Sequence, residues 1–265
     1  MTMRVPLKLT LIFCACAMAF AGPALAQAPS TESWMQLKSD LFGEKSVREE
    51  TNILTLEAPD RAPDPAMVPV RISLDADTRF RTLTLIVDEN PAPVAATFTL
   101  DNNARITTIE TRLRVNAYSN IRVVGEDENG QLYMASHYVK ASGGCAAPAA
   151  RNPAESTAQL GQMRLRRFLE TGMTDRHVAQ LMIRHPNNSG LQRDQISHLY
   201  IPAHFVSELN IEFENHPFLS MEGGISISED PNFRFTYDGP AGEFKVYARD
   251  TDGRSFSQVF APDQT

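Results

Sequence analysis

Ser142-Gly143-Gly144-Cys145-Ala146-Ala147-Pro148 is the stretch of this 265-residue chain whose residue types and order point to covalent chemistry. Structural cysteines usually sit in strands or helices among Leu, Val or Phe, whereas this one is flanked by the smallest side chains available. The two glycines free the backbone, and the alanines leave the sulfur unobstructed. About four extended residues at roughly 3.3 Å each would carry the sulfur ~13 Å from whatever precedes them. No His, Asp or Glu lies within four residues, and the nearest charges in sequence are Lys140 and Arg151. The thiol pKa is therefore expected near its ordinary value of about 8.5. A free, unactivated thiol suits a group that other proteins act on. An incidental linker cysteine and a catalytic or metal-bound thiol are the other readings this pattern leaves.

The remaining candidates are weaker. His185, His198, His204 and His216 match no common zinc or copper spacing and read as ordinary core or surface histidines, so neither a metal nor a cofactor is expected. Gly-x-Ser-x-Gly, phosphate-loop and dinucleotide patterns are absent, and nothing assembles an active site of the chain's own.

The first residues set the compartment. Arg4 and Lys8 precede an apolar stretch from Leu9 to Phe20, and Ala24-Leu25-Ala26 gives a small-x-small cleavage pattern. Residues 1–26 are expected to be a secretory signal peptide removed after Ala26, too short in its apolar part to anchor in a membrane. Its removal takes Cys14 and Cys16 with it, and Cys145 is left as a lone thiol that cannot form an internal disulfide. The two lost basic residues move the net charge from −7 to −9, which argues against nucleic acid or an anionic membrane as partner.

The elements that must position this cysteine read as β. Ser33 is a candidate N-cap of a short helix, with Gln36 at capping-box spacing. Trp34, Leu37, Leu41 and Phe42 form its apolar face, and Gly43 ends it. Strand patterns follow at Val68 to Leu74, Thr82 to Val87, Ala96 to Leu100, Thr111 to Val115, Asn120 to Val124 and Leu132 to Val139. Glu128-Asn129-Gly130 is a hairpin turn between the last two. Ala141 to Thr157 is Ala-, Gly-, Ser- and Pro-rich and reads as a flexible linker. Beyond it come strand patterns at Val178 to His185, Phe205 to Glu214, Asn232 to Tyr237, Glu243 to Ala248 and Ser255 to Phe260. The expectation is an all-β chain: a β-sandwich over 33–141, a cysteine-bearing arm and linker over 142–160, and a second sandwich over 161–265.

The residues also resemble a known family. Trp34 to Phe42, Ala58-Pro59, Val68-Pro69-Val70, Asp88-Glu89-Asn90-Pro91-Ala92-Pro93 and Gly143-Gly144-Cys145 resemble SoxY of the sulfur-oxidation carrier SoxYZ. His185-Pro186 with Gly190, Ile201 to Phe205, Ser228-Glu229-Asp230-Pro231 with Phe233 and Phe235, and Asp250-Thr251-Asp252-Gly253 resemble SoxZ. The chain looks like the two fused, most similar to the SoxYZ-like carriers associated with quinoprotein dehydrogenases.

The resemblance implies two immunoglobulin-like sandwiches and a periplasmic, non-enzymatic carrier. Cys145 would bear covalently bound sulfur intermediates of the thiosulfate type, with Gly143 and Gly144 as the arm hinge. The implied partners are periplasmic sulfur-oxidation enzymes, a c-type cytochrome among them, or a quinoprotein dehydrogenase system. The reading from another class is a non-covalent accessory module of a periplasmic pyrroloquinoline-quinone alcohol dehydrogenase system, with Cys145 incidental. On the carrier reading, a linker thiol packs against nothing, so Cys145→Ser is expected to leave stability unchanged.

Two departures stand out. SoxY ordinarily ends at the arm with Gly-Gly-Cys-Gly-Gly, but here Ala146-Ala147-Pro148 follows and the arm is tethered at both ends. The second half reads His185-Pro186-Asn187-Asn188-Ser189-Gly190 where the family has His-Pro-Met-Glu-Thr-Gly.

Overall fold

The computed structural model describes residues 31–50, 52–101, 104–150, 157–169 and 176–262. The expected signal peptide lies outside the described residues, as does part of the linker. The elements run α1 (Thr31–Phe42), β1 (Val47–Arg48), β2 (Leu54–Glu57), β3 (Val68–Leu74), β4 (Phe80–Val87), β5 (Val94–Leu100), β6 (Arg105–Leu113), β7 (Ser119–Asp127) and β8 (Leu132–Val139) in the first half. The second half contributes β9 (Met163–Leu169), β10 (Arg176–Ile183), β11 (Val206–Phe213), β12 (His216–Gly223), β13 (Asn232–Asp238), β14 (Phe244–Asp250) and β15 (Ser255–Phe260).

Alternation explains the simplest strands. In β3, Val68, Val70 and Ile72 turn inward and are buried, with Pro69 and Arg71 exposed between them. In β4 the apolar residues are consecutive, because both faces are covered. Leu83, Leu85 and Val87 join the main core. Ile86 belongs to a smaller cluster with Val124, Leu132 and Met134, against which Trp34, Leu37, Phe42 and Val47 pack. Helix α1 therefore docks on the outside of the sheet, as its apolar face requires. It begins at Thr31, which places Ser33 inside the helix instead of at its cap, and Leu41 is 40% exposed, off the docking face. Gly43 ends the helix with φ +61° and an N–H donated to Ser39 O.

The two halves are joined by more than a linker. Nine strands form one sheet in the order β1-β8-β7-β4-β5-β12-β11-β14-β15, and six form the other in the order β2-β3-β6-β13-β10-β9. The first half meets the second in both sheets. β5 pairs antiparallel with β12 (Phe98 opposite Met221), and β6 with β13 (Ile109 opposite Phe235). Across the second seam Thr108 and Thr236 share a hydroxyl hydrogen bond of 2.7 Å, and Phe98 meets Phe233 edge-on at 6.1 Å between the two sheets. One apolar cluster runs through both halves. Each half thus uses its neighbour to cover a strand edge that would otherwise invite foreign pairing.

The Asp88-to-Pro93 segment reaches this seam at Ala92, whose carbonyl accepts from Ser226 Oγ at 3.2 Å, and it is anchored within the first half at Asp88. Asp88 and Arg122 form a buried ion pair in which the Arg122 Nε–H is shared between both carboxylate oxygens at 2.9–3.0 Å, with the Trp34 ring lying 4.5 Å from the guanidinium. Burial pushes the Asp88 carboxyl above its ordinary range despite that partner.

Candidate functional site

The path to Cys145 begins where two strands end. After β6 the chain continues through Arg114, Val115 and Asn116. After β8 it runs through Lys140, whose N–H donates to Asp60 O and whose carbonyl accepts from Ala62. The Gly-Gly-Cys segment then lies alongside the β6 extension: Gly143 N–H donates to Asn116 O at 2.8 Å and Gly144 N–H to Val115 O at 3.0 Å. A tight turn follows, closed by Ala146 N–H donating to Gly143 O.

The two glycines are needed for different reasons. Gly143 has φ +81° and open space where a side chain would stand, so its requirement is conformational. Gly144 is held by contact, since a Cβ there would come within 2.0 Å of Pro65 O and 2.7 Å of Val115 O.

This overturns the expected exposed, flexible arm. Cys145 is 0% exposed, and the second half latches it down. Ser189 Oγ donates to Cys145 O, Gln192 Nε2 donates to Ala147 O at 2.9 Å, and Glu229 accepts from Ala150 N–H at 2.7 Å. Gln192 is itself wholly buried and fixed by Ser189 N–H. The physical reason was not local. Small residues do permit freedom, but they also permit close approach, and here the approach is to backbone more than twenty residues away in sequence, at Pro65, Val115 and Asn116. Ser189 stands where the family has threonine and keeps the hydroxyl that makes the latch.

Electrostatics follow the burial. Desolvation pushes the thiol up to about 11, with Arg114 partly offsetting it, instead of leaving it at the value expected from the sequence. Arg114, 31 positions upstream, is a charge that acts on the sulfur. The residue is 1% exposed, and among the described residues its guanidinium donates to two carbonyls, Gly144 O at 3.2 Å and Asn187 O at 3.4 Å. Burial pulls its pKa down, with Glu229, Cys145 and Asp64 pulling the other way. An Arg that follows a strand by one residue gives no sign of this in the sequence.

Of the four histidines, the structure brings His185 and His204 together beside Asp250. His185 Nε2, His204 Nε2 and Asp250 Oδ2 lie within 4.8 Å of one another, a spacing that could hold a cation. The hydrogen bonding tells otherwise. His185 Nδ1 accepts from Asn187 N–H at 3.1 Å, so the ring proton resides on Nε2, the nitrogen a metal would need. His204 Nε2 bonds Asp250 at 2.8 Å, and the two rings meet at 4.5 Å. Asp250 is pushed up by burial, but the bonds from His204 and Arg254 N–H outweigh this and hold it below its usual range.

The cluster has a measurable consequence. Burial, and then the charge of His204, lower the His185 pKa from 6.5 to about 4. Between those values the unfolded chain binds the proton and the folded chain does not, so this stability is complete above pH 6.5 and is lost as pH falls toward 4. The size is about 3 kcal/mol. Urea unfolding at pH 7 and pH 4.5 should show most of that loss. His185→Asn, which keeps an acceptor for Asn187 N–H, should lose much less, and an identical pH slope in both proteins would refute the assignment.

Two all-β sandwiches sharing both sheets, with the one thiol of the described residues folded between them on a doubly tethered arm, define a class of protein built around a cysteine, with no second reactive group beside it among those residues. Residues 38–145 match the family of the sulfur oxidation protein SoxY, and residues 170–261 match that of the sulphur oxidation protein SoxZ. The chain belongs to the SoxYZ sulfur-oxidation family, with the two components fused in one polypeptide. The SoxY match ends on Cys145 itself. Among solved structures, the sulfur carrier protein SoxY from Chlorobium limicola f thiosulfatophilum is 24% identical over 42% of this chain and 92% of that one, with a TM-score of 0.37. A beta-glycosidase from Bacteroides vulgatus is 9% identical over 80% of this chain and 25% of that one, with a TM-score of 0.25. No curated protein matches the chain. The assignment rests on the two family matches.

Proposed function

We propose that the chain is a periplasmic carrier that holds sulfur intermediates covalently on Cys145 and has no active site of its own. What carries the reading is the coincidence of the end of the SoxY match with the one thiol of the described chain. Thiosulfate-derived adducts are the cargo and Gly143-Gly144 the hinge. The partners are periplasmic sulfur-oxidation enzymes with a c-type cytochrome, or a quinoprotein dehydrogenase system. Export by the signal peptide ending at Ala26 places the protein with them.

Burial adds a condition that an exposed arm would not need. The arm opens to be loaded, breaking the bonds from Gly143, Gly144, Arg114, Ser189 and Gln192. At about 1 kcal/mol net for each, the closed state is favoured by on the order of 5 kcal/mol. The empty thiol is thereby shielded from the oxidants of its compartment.

The test is the intact mass of the protein purified from its native periplasm without reductant, before and after reduction. A reducible adduct of sulfur atoms or a thiosulfonate on Cys145 is expected. A free thiol that thiosulfate and the host's periplasmic cytochromes leave unchanged would replace the carrier with the non-covalent accessory module.

A further inference from the structure

Arg114 makes no ion pair with a carboxylate among the described residues. The residue is 99% removed from solvent; among the described residues its two terminal nitrogens donate to peptide carbonyls and its Nε–H finds no acceptor. Asp64 and Glu229 act on it from a distance without a hydrogen bond, and Glu229 spends one oxygen on Ala150 N–H. A buried cation left with a free donor is costly unless a counter-charge arrives. One of the carbonyls it binds belongs to Gly144, so the guanidinium lies against the peptide that carries Cys145.

We infer that Arg114 is the receptor for the negative charge of the cargo: when the arm closes over a Cys145 persulfide, the terminal sulfur anion is held by the buried guanidinium. This rests on the carrier reading and extends it to the closed, loaded state. The thiol does not engage Arg114 in this way, because in that environment it stays protonated. A persulfide is a stronger acid than a thiol and adds a single atom, so it brings a full charge at neutral pH with little added bulk. Arg114 is a positioning residue. It makes the closed arm discriminate loaded from empty, and it favours anionic adducts over neutral disulfides of similar size.

The persulfide can be made on the purified full chain without any partner enzyme. Tetrathionate converts the Cys145 thiolate to the thiosulfonate and releases thiosulfate. Hydrosulfide then attacks the cysteine sulfur, giving the persulfide and a second thiosulfate, with no net oxidant beyond the tetrathionate. Mass confirms each adduct, and the near-ultraviolet absorbance of the persulfide anion is titrated against pH. An opposite charge at this range lowers an acid by about 1–3 pKa units. The persulfide pKa in the wild-type chain is expected to fall below that of Arg114→Gln by that amount, with Arg114→Lys recovering part of the difference. Should Arg114→Gln not fold, the same adduct on the wild-type chain in urea serves as reference, and the folded value is again expected to be lower. Equal values in wild type and Arg114→Gln, or a folded value at or above the unfolded one, overturn the inference. Neither result depends on what the native protein carries, so failure here is distinct from a clean thiol in the native mass.

Discussion

Replacing Gly144 by alanine is expected to unlatch the arm and speed alkylation of Cys145 on the order of 100- to 1000-fold. The lower bound comes from acidity alone. The closed thiol is pushed up to about 11 from an ordinary value of 9.0, and that difference is about a hundredfold in thiolate at neutral pH. The upper bound adds steric release. The new methyl would stand 2.0 Å from Pro65 O and 2.7 Å from Val115 O, both backbone atoms that cannot swing aside. Gly143→Ala is the internal control. It meets nothing within 4 Å and bears only the cost of φ +81°, about 1 kcal/mol, so it should raise reactivity by no more than about tenfold. Iodoacetamide kinetics on all three proteins, with thermal melts to confirm folding, decide the matter. If Gly144→Ala reacts at the wild-type rate, the arm is not closed in solution.

The burial also revises what Cys145→Ser does. The sequence led to a thiol packed against nothing, whose replacement is silent for stability. In the folded chain the sulfur is enclosed, and a hydroxyl in its place must find a partner or lose about 1–3 kcal/mol.

What could be read from the sequence was whatever depends on neighbours in the chain. The alternation of Val68 to Leu74 and the Asn129-Gly130 turn, where Gly130 adopts φ +79°, are local and appear as expected. β9 and β12 carry no such local signal. Met163-Arg164-Leu165-Arg166-Arg167-Phe168-Leu169 is an edge strand dense in charge, and His216-Pro217 opens β12 with a residue that argues against a strand. Both are strands because of what lies beside them: β10 for the first, and β5 and β11 for the second. The site follows the same rule. Cys145, Gly143 and Gly144 stand out by composition, but Arg114, Ser189 and Gln192 lie 31, 44 and 47 positions away; Arg114 meets the arm because the arm lies along the extension of β6, and Ser189 and Gln192 because the sheets continue from one half to the other. The one sequence signal for the latch was Ser189, inside a segment matched for other reasons.

Asn90 is where that continuity can be tested hardest, and Asn90→Ala is expected to cost about 3–5 kcal/mol. The residue is 4% exposed and sits between the halves. Its amide donates to Arg114 O at 2.7 Å and to Ser226 Oγ at 2.8 Å, and its carbonyl accepts from Asn116 N–H at 2.8 Å. Alanine removes all three bonds and leaves the buried Arg114 O and the half-buried Asn116 N–H without this partner. Those groups flank Val115, and Val115 and Asn116 provide the carbonyls on which Gly144 and Gly143 rest. Loss of stability should therefore come with faster alkylation of Cys145, linking a residue 55 positions upstream to the reactivity of the arm. Asn90→Asp separates hydrogen bonding from shape. It keeps the acceptor for Asn116 N–H but turns an acceptor toward Arg114 O, and it should be no more stable than the alanine variant at neutral pH. Urea unfolding supplies the energies and iodoacetamide the rates. A cost below about 1 kcal/mol, with unchanged alkylation, would mean that the two halves hold the arm independently of this pin.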